Sequence, residues 1–315
     1  MADTSLTRRG WVLRPIPPEP RSIAELIAAG TLDAELAATI WLLLEGRVPV
    51  VVAGDGPGVG KSTLLGAVLD FLPPDLHVVE LRGIDETFDW LPQASELGWP
   101  GVPARPVGVP VRPEATVILA DELSDHTPAY TWGESARVAV RAAALGYGLA
   151  ATIHGDSLDD VLADLRAAPV HLSDDELSRL GVVLILRRVD RDRRRVVAAH
   201  YLRPVARDAH GHVQRLGPAV LATWDAATDR FEQFGWGVTP ELALRVGRRA
   251  GDFELEWADR RSLLDDLVAR GVVEVAEVRA SIDRYRSEST LAGTPMSAAP
   301  VSHAPHAPHP HPHPD

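Results

Sequence analysis

The ten residues Gly54-Asp55-Gly56-Pro57-Gly58-Val59-Gly60-Lys61-Ser62-Thr63 constrain the fold of this chain more than any other stretch. Ahead of them, residues 48–53 form a valine-rich run without alternation, the pattern of a strand covered on both faces. After them, residues 61–71 carry a helical pattern that Pro73 and Pro74 stop. A buried strand, a glycine loop and a helix in that order let backbone N–H groups wrap an anion. The helix then presents its positive end to the same anion.

Within the motif, Lys61 is the single lysine among thirty-two basic residues, and asparagine is absent from the chain. A GC-rich coding bias explains arginine everywhere else. At Lys61 the compact ammonium is retained, because arginine's rigid fork does not replace it at this kind of site. The motif predicts a bound nucleoside triphosphate, ATP, together with Mg²⁺. Gly56, Gly58, Val59, Gly60, Lys61, Ser62 and Thr63 are the candidate nucleotide-binding residues, with Lys61 directed to the β- and γ-phosphates and the Ser62 hydroxyl to Mg²⁺. One departure stands out. The pattern calls for glycine five residues before Gly60, where Asp55 sits; Gly54 is one residue further back. A carboxylate there repels phosphate unless its side chain points away.

Strands and helices alternate through residues 22–187, which predicts a parallel α/β core. Ser22 with Glu25 signals a capping box, and Asp33 a helix cap. Residues 83–115, rich in proline, glycine and tryptophan, read as an irregular insertion. Residues 182–187 and 196–201 read as a hairpin, and 219–224 with 230–234 as a further antiparallel pair. Residues 239–286 are helical, with turns near Gly251 and Gly271. The division expected is an arm at 1–21, an α/β core at 22–235, a helical domain at 236–287 and a disordered Ala/Pro/His tail at 288–315.

Two further segments carry chemistry. Residues 116–122 (T-V-I-L-A-D-E) are an apolar strand ending in Asp121 and Glu122. After a phosphate loop, such acids are suited to a Mg²⁺ contact, assigned to Asp121, and to orienting the attacking water, assigned to Glu122. Residues 152–157 (T-I-H-G-D-S) place His154 at the end of the next strand, beside the ligand crevice of a parallel sheet.

Composition narrows the classes. With no cysteine, the chain has no disulfide framework or thiolate metal site. A formal charge of −12 speaks against nucleic acid as the partner. The dense arginines of residues 187–195 alternate with Asp190 and Asp192 and read as a solvated hairpin. No apolar run spans a bilayer and no secretory leader is seen, so a cytoplasmic location is expected, at most peripheral to the membrane.

The stretches T-L-D-A-E-L-A-A-T-I-W-L-L-L-E-G, V-P-V-V-V-A-G and G-K-S-T-L-L-G-A-V-L-D-F-L-P-P-D-L-H-V-V-E-L, followed by A-T-I-H-G-D-S, resemble the secretion ATPases of type II and type IV systems. The archaeal-type pilus and archaellum assembly ATPases are the most similar branch. The likeness runs over about residues 22–285. It implies a RecA-like P-loop NTPase and a ring-forming homo-oligomer, a hexamer by resemblance. It also implies a membrane platform protein as partner. The family's acidic box falls at Glu80, with Asp85 or Glu86 as further candidates. Its histidine box makes His154 a γ-phosphate sensor beside the catalytic candidates Glu122 and Glu80. The family usually carries a large domain ahead of this core, and its second acidic motif commonly reads Gly-Glu. Its intersubunit arginines have no match here. A nucleotide-dependent switch with weak hydrolysis is the alternative.

Overall fold

The computed structural model describes residues 19–56, 58–101, 111–207, 210 and 212–291. The arm ahead of residue 19, Pro57 and the His-rich tail from 292 lie outside them. Two short helices open the fold. Helix α1 (Ile23–Ala28) is capped by Ser22, whose hydroxyl accepts the Glu25 N–H at 3.1 Å and donates to the Val273 carbonyl at 2.6 Å. The reciprocal half of the capping box is not formed, since Glu25 pairs with Arg21 instead. Helix α2 (Ala34–Glu45) begins as expected, with Asp33 accepting the Leu36 N–H at 2.9 Å.

Strand β1 (Val50–Ala53) is wholly buried and leads through the glycine loop into α3 (Lys61–Leu69). There follow β2 (His77–Glu80), β3 (Thr116–Leu123), α4 (Glu134–Ala142), β4 (Gly148–Ile153), α5 (Leu158–Arg166) and α6 (Asp174–Leu177). The hairpin β5 (Val182–Arg188) and β6 (Arg194–Tyr201) is succeeded by the two-residue strands β7 (Ala206–Arg207) and β8 (Val213–Gln214). Then come β9 (Ala219–Asp225) and β10 (Arg230–Gln233). Helices α7 (Thr239–Arg245), α8 (Ala250–Ala269) and α9 (Val275–Leu291) complete the described chain.

Eight strands form one sheet in the order β10-β9-β6-β5-β1-β4-β3-β2. From β2 to β5 the neighbours run parallel; β6, β9 and β10 extend the sheet antiparallel. The fold is therefore α/β, with a mostly parallel sheet, an antiparallel extension and a C-terminal helical region, as expected. β1 lies at the centre of the parallel part, which explains its valine run: Val50 and Val52 enter one core, Val51 and Ala53 the other. The first core is covered by α1, α2, α3 and the C-terminal helices, the second by α4 and α5.

Some expectations are corrected. The turn placed near Gly251 lies earlier, around Gly247 (φ 71°), and Gly251 belongs to the first turn of α8. Helix α9 continues to Leu291, past the point where sequence pattern ends the helix. The described parts of the 83–115 segment are irregular between short 3-10 turns at Gly83–Asp85 and Pro113–Ala115, and Phe88, Leu91 and Ala94 anchor them in the second core. Among the described residues, no helix is long and apolar enough to cross a membrane.

Candidate functional site

Parallel strands present their C-terminal ends along one edge of the sheet, and here those ends bring the candidate residues together. The loop after β1 turns into α3 through Gly60, which serves as N-cap at φ 106°, a conformation that L side chains rarely adopt. Ser62 and Thr63 lie in the first turn, with Ser62 exposed, and Lys61 is buried with 7% exposure. The position of Gly54 also explains the displaced glycine. A side-chain Cβ there would come within 2.6 Å of the Leu186 carbonyl on β5, so close packing of strands demands glycine at 54. Residue 55 has no such constraint. Asp55 is exposed, and its carboxylate approaches His154 Nδ1 at 4.0 Å.

Opposite the loop, β3 contains a register shift between Ala120 and Leu123 against β4. Two residues, Asp121 and Glu122, therefore stand where one would fit opposite Thr152. Such a bulge re-aims the side chains it contains. Without it, Asp121 would share the face of Val117, which lines the first core. With it, Asp121 is exposed, and Glu122 turns inward with 6% exposure. The Thr152 hydroxyl lies 2.7 Å from Glu122 Oε2 and also contacts the Asp121 carbonyl, so its one hydrogen is shared between the two acceptors. Glu122 Oε1 lies 3.2 Å from the Lys61 ammonium and 3.4 Å from His154 Nε2. Lys61 also donates to the Gly54 carbonyl at 3.1 Å. The only lysine of the chain thus links the loop to the acid of β3.

His154 follows β4, the strand between β1 and β3, and sits between Glu122 and Asp55. Its ring meets His126 edge-on, with centroids 4.5 Å apart. Burial, and then the nearby Lys61 ammonium, push its pKa below the ordinary imidazole value of 6.5, outweighing the pull of Glu122 and Asp55. The folded state therefore binds fewer protons than the unfolded chain just below that value, and stability is lost as pH falls through this window. His200, held down by burial, acts in the same sense. Melting temperatures compared at pH 5.5 and 7.5 are expected to show the loss, and His154→Gln to reduce it; an equal slope in the variant would remove His154 as its source.

Other candidates fall elsewhere. Glu80 is exposed at the end of β2, the edge strand, so β3 and β4 stand between it and the loop strand. Asp85 is exposed. Glu86 is buried and serves its own segment, accepting the N–H groups of Arg82, Thr87 and Phe88. Thr152 and His126 went unassigned in the sequence. Thr152 was legible by strand period, two residues before His154 on the same face; His126 has no local signal. The arginine hairpin is not simply solvated: Arg188 and Arg194 reach the Gly58 carbonyl, and Arg195 is buried.

The residues present fit a triphosphate with Mg²⁺. The loop offers a helix N-terminus, and the space beside Gly56 is open. The buried Glu122 Oε1 has no hydrogen bond of good geometry and is left facing the loop's ammonium. Fold and loop together give a mostly parallel α/β protein whose central strand runs through a glycine-rich loop into a helix.

No family model matches the chain. An uncharacterised protein of Methanocaldococcus jannaschii is 25% identical over 308 residues, covering 93% of this chain and 54% of that protein. A second uncharacterised protein of that organism is 27% identical over 171 residues, covering 50% of this chain and 59% of its own length. The chain thus spans little more than half the length of these relatives. A putative conjugal transfer protein of Mycobacterium tuberculosis is 39% identical over 67 residues, 21% of this chain and 19% of that protein. Among solved structures, the ATPase DotB of Legionella pneumophila is 12% identical, with 71% of this chain and 55% of that chain covered. Its TM-score of 0.27 is too low to bear on the fold.

Proposed function

We propose that this chain binds and hydrolyses ATP as a RecA-like P-loop ATPase of the type II/type IV secretion and pilus-assembly class. The observation that carries the reading is the buried Lys61–Glu122 pair, formed where a glycine loop meets a carboxylate re-aimed by a strand bulge. Lys61 holds the β- and γ-phosphates, and backbone N–H groups of Gly56, Gly58, Val59 and Gly60 surround them. Ser62 and Asp121 hold Mg²⁺, Ser62 through its hydroxyl at the start of α3. When bound, Mg²⁺ neutralises charge on the β- and γ-oxygens. Glu122 orients the attacking water, and Thr152 fixes its carboxylate by donating to the other oxygen. His154, neutral near pH 7, offers a donor toward the γ-phosphate.

The short match to a putative conjugal transfer protein supports work on macromolecular transfer. By the resemblance set out above, the working form is a homo-oligomeric ring, a hexamer, acting on a membrane platform protein from the cytoplasmic side. Nucleic acid is not the expected partner, given the charge of −12. Phosphate release from Mg-ATP, measured with purified protein and across concentrations that populate the oligomer, tests the reading. Turnover supports a motor; tight binding without turnover in any assembly state supports the nucleotide switch.

A further inference from the structure

The β5–β6 hairpin lies against the glycine loop, and its arginines divide into two groups. Arg187 pairs with Asp156 at 3.9 Å, Arg193 with Asp190 at 2.5 Å, and Arg195 with Asp229 at 2.9 Å. The acids respond: hydrogen bonds from Arg193 and Arg195 pull Asp190 and Asp229 down to about 2. Arg188 and Arg194 have no such partner; among the described residues no carboxylate lies within ion-pair distance of either. They also face each other directly in the β5–β6 register. Like charges placed opposite one another in an antiparallel pair repel.

Both guanidiniums converge on a single atom of the phosphate loop. The Gly58 carbonyl accepts from Arg188 Nη2 at 2.7 Å and from Arg194 Nη2 at 3.3 Å. Arg194 Cδ lies 3.1 Å from where a side chain on Gly60 would begin, so the arginine runs along the loop itself. Meanwhile the loop's own cation, Lys61, is spent on Glu122, and Asp55 adds negative charge at the rim. A triphosphate arriving here meets more acid than Lys61 alone can offset.

We propose that Arg188 and Arg194 form a phosphate clamp, supplied by the same chain, for the nucleotide held by the loop. The proposal rests on the reading of that loop as a nucleotide site. The forked guanidinium matches phosphate oxygens, and charge-assisted bonds of this kind are among the stronger ones in proteins. Bound phosphate also relieves the repulsion between the two arginines. A purely structural role, in which they only brace the Gly58 carbonyl, requires a hydrogen-bond donor but no charge.

Arg188→Gln/Arg194→Gln separates the two roles, because glutamine retains a donor and removes the charge. Calorimetric titration of the full chain with Mg-ATP, and separately with inorganic tripolyphosphate, is compared with Lys61→Ala. The double variant is expected to bind both probes roughly 10- to 100-fold more weakly, with a shallower salt dependence. Its melting temperature without ligand is expected to stay level or rise. Should the double variant be poorly folded, Arg188→Gln alone is expected to weaken tripolyphosphate about tenfold. If the double variant binds tripolyphosphate as tightly as the wild type while Lys61→Ala loses it, the clamp is wrong and the loop reading stands. If Lys61→Ala binds normally and the arginine variant does not, the clamp stands and the role given to Lys61 falls. A wild type that binds neither probe overturns both.

Discussion

Glu122→Gln is expected to leave Mg-ATP bound and to slow its hydrolysis by about 10²- to 10⁴-fold, the usual contribution of a well-placed general base. Glutamine keeps the size of the side chain and the acceptor for the Thr152 hydroxyl, which now reaches Oε2 at 2.7 Å. What it removes is the charge beside the attacking water. Asp121→Asn is the matched control. Its carboxylate is exposed on the outside of the bulge, so the change is expected to raise the Mg²⁺ concentration needed while leaving the rate at saturating Mg²⁺ near that of the wild type. Single-turnover assays on both variants decide the assignment. If neither slows hydrolysis by even about tenfold, Glu122 is not the catalytic carboxylate.

The largest effect on stability is expected far from the loop, at Glu45. This residue ends α2 with 8% exposure and is surrounded by donors. Trp41 Nε1 donates to it at 2.7 Å, Arg260 of α8 at 2.6 Å and Arg286 of α9 at 3.2 Å. Both arginines are themselves buried, at 4% and 9% exposure, and each stacks its guanidinium over the Trp41 ring. Arg286 also donates to the Phe71 carbonyl at the end of the α3 region. One carboxylate thus fastens the C-terminal helices to the helical layer over β1. Glu45→Ala removes the anion that two buried guanidiniums share, leaving Arg260 with Glu256 at 3.0 Å and Arg286 with Asp283 at 3.1 Å, and breaking a buried pair costs about 3–5 kcal/mol. For a chain of this size that corresponds to a melting temperature lower by roughly 4–8 °C, measurable by calorimetry. A shift of only a degree or two would mean that hydrophobic packing, not this ion cluster, holds α8 and α9 in place.

Much of the fold was legible because its signals are local. The valine run of β1 needs no partner to announce that both faces are covered, and the glycine loop with Lys61 announces its own geometry. Asp33 and Ser22 mark helix starts by chemistry that acts within three residues. What could not be read depends on pairing across the sheet. Strict alternation cannot say which of Asp121 and Glu122 faces inward, since the answer lies in a register shift against β4. The need for glycine at 54 comes from a carbonyl on β5, more than 130 residues further along the chain. Arg188 and Arg194 reach the loop only because β5 is the neighbour of β1. The tie from Ser22 to Val273 spans 251 positions, and nothing local to α1 foretells it.

The most direct measurement is a calorimetric titration of Mg-ATP into the wild-type chain and into Lys61→Ala. Lys61 is buried and neutralises Glu122, so its removal also leaves an unpaired carboxylate in the interior. Lys61→Ala/Glu122→Gln is therefore included, to separate loss of the fold from loss of the site. The double variant is expected to recover most of the melting temperature that Lys61→Ala loses, while both variants bind Mg-ATP at least about a hundredfold more weakly than the wild type. A folded Lys61→Ala protein that binds Mg-ATP as tightly as the wild type would contradict the assignment of this loop as a nucleotide site.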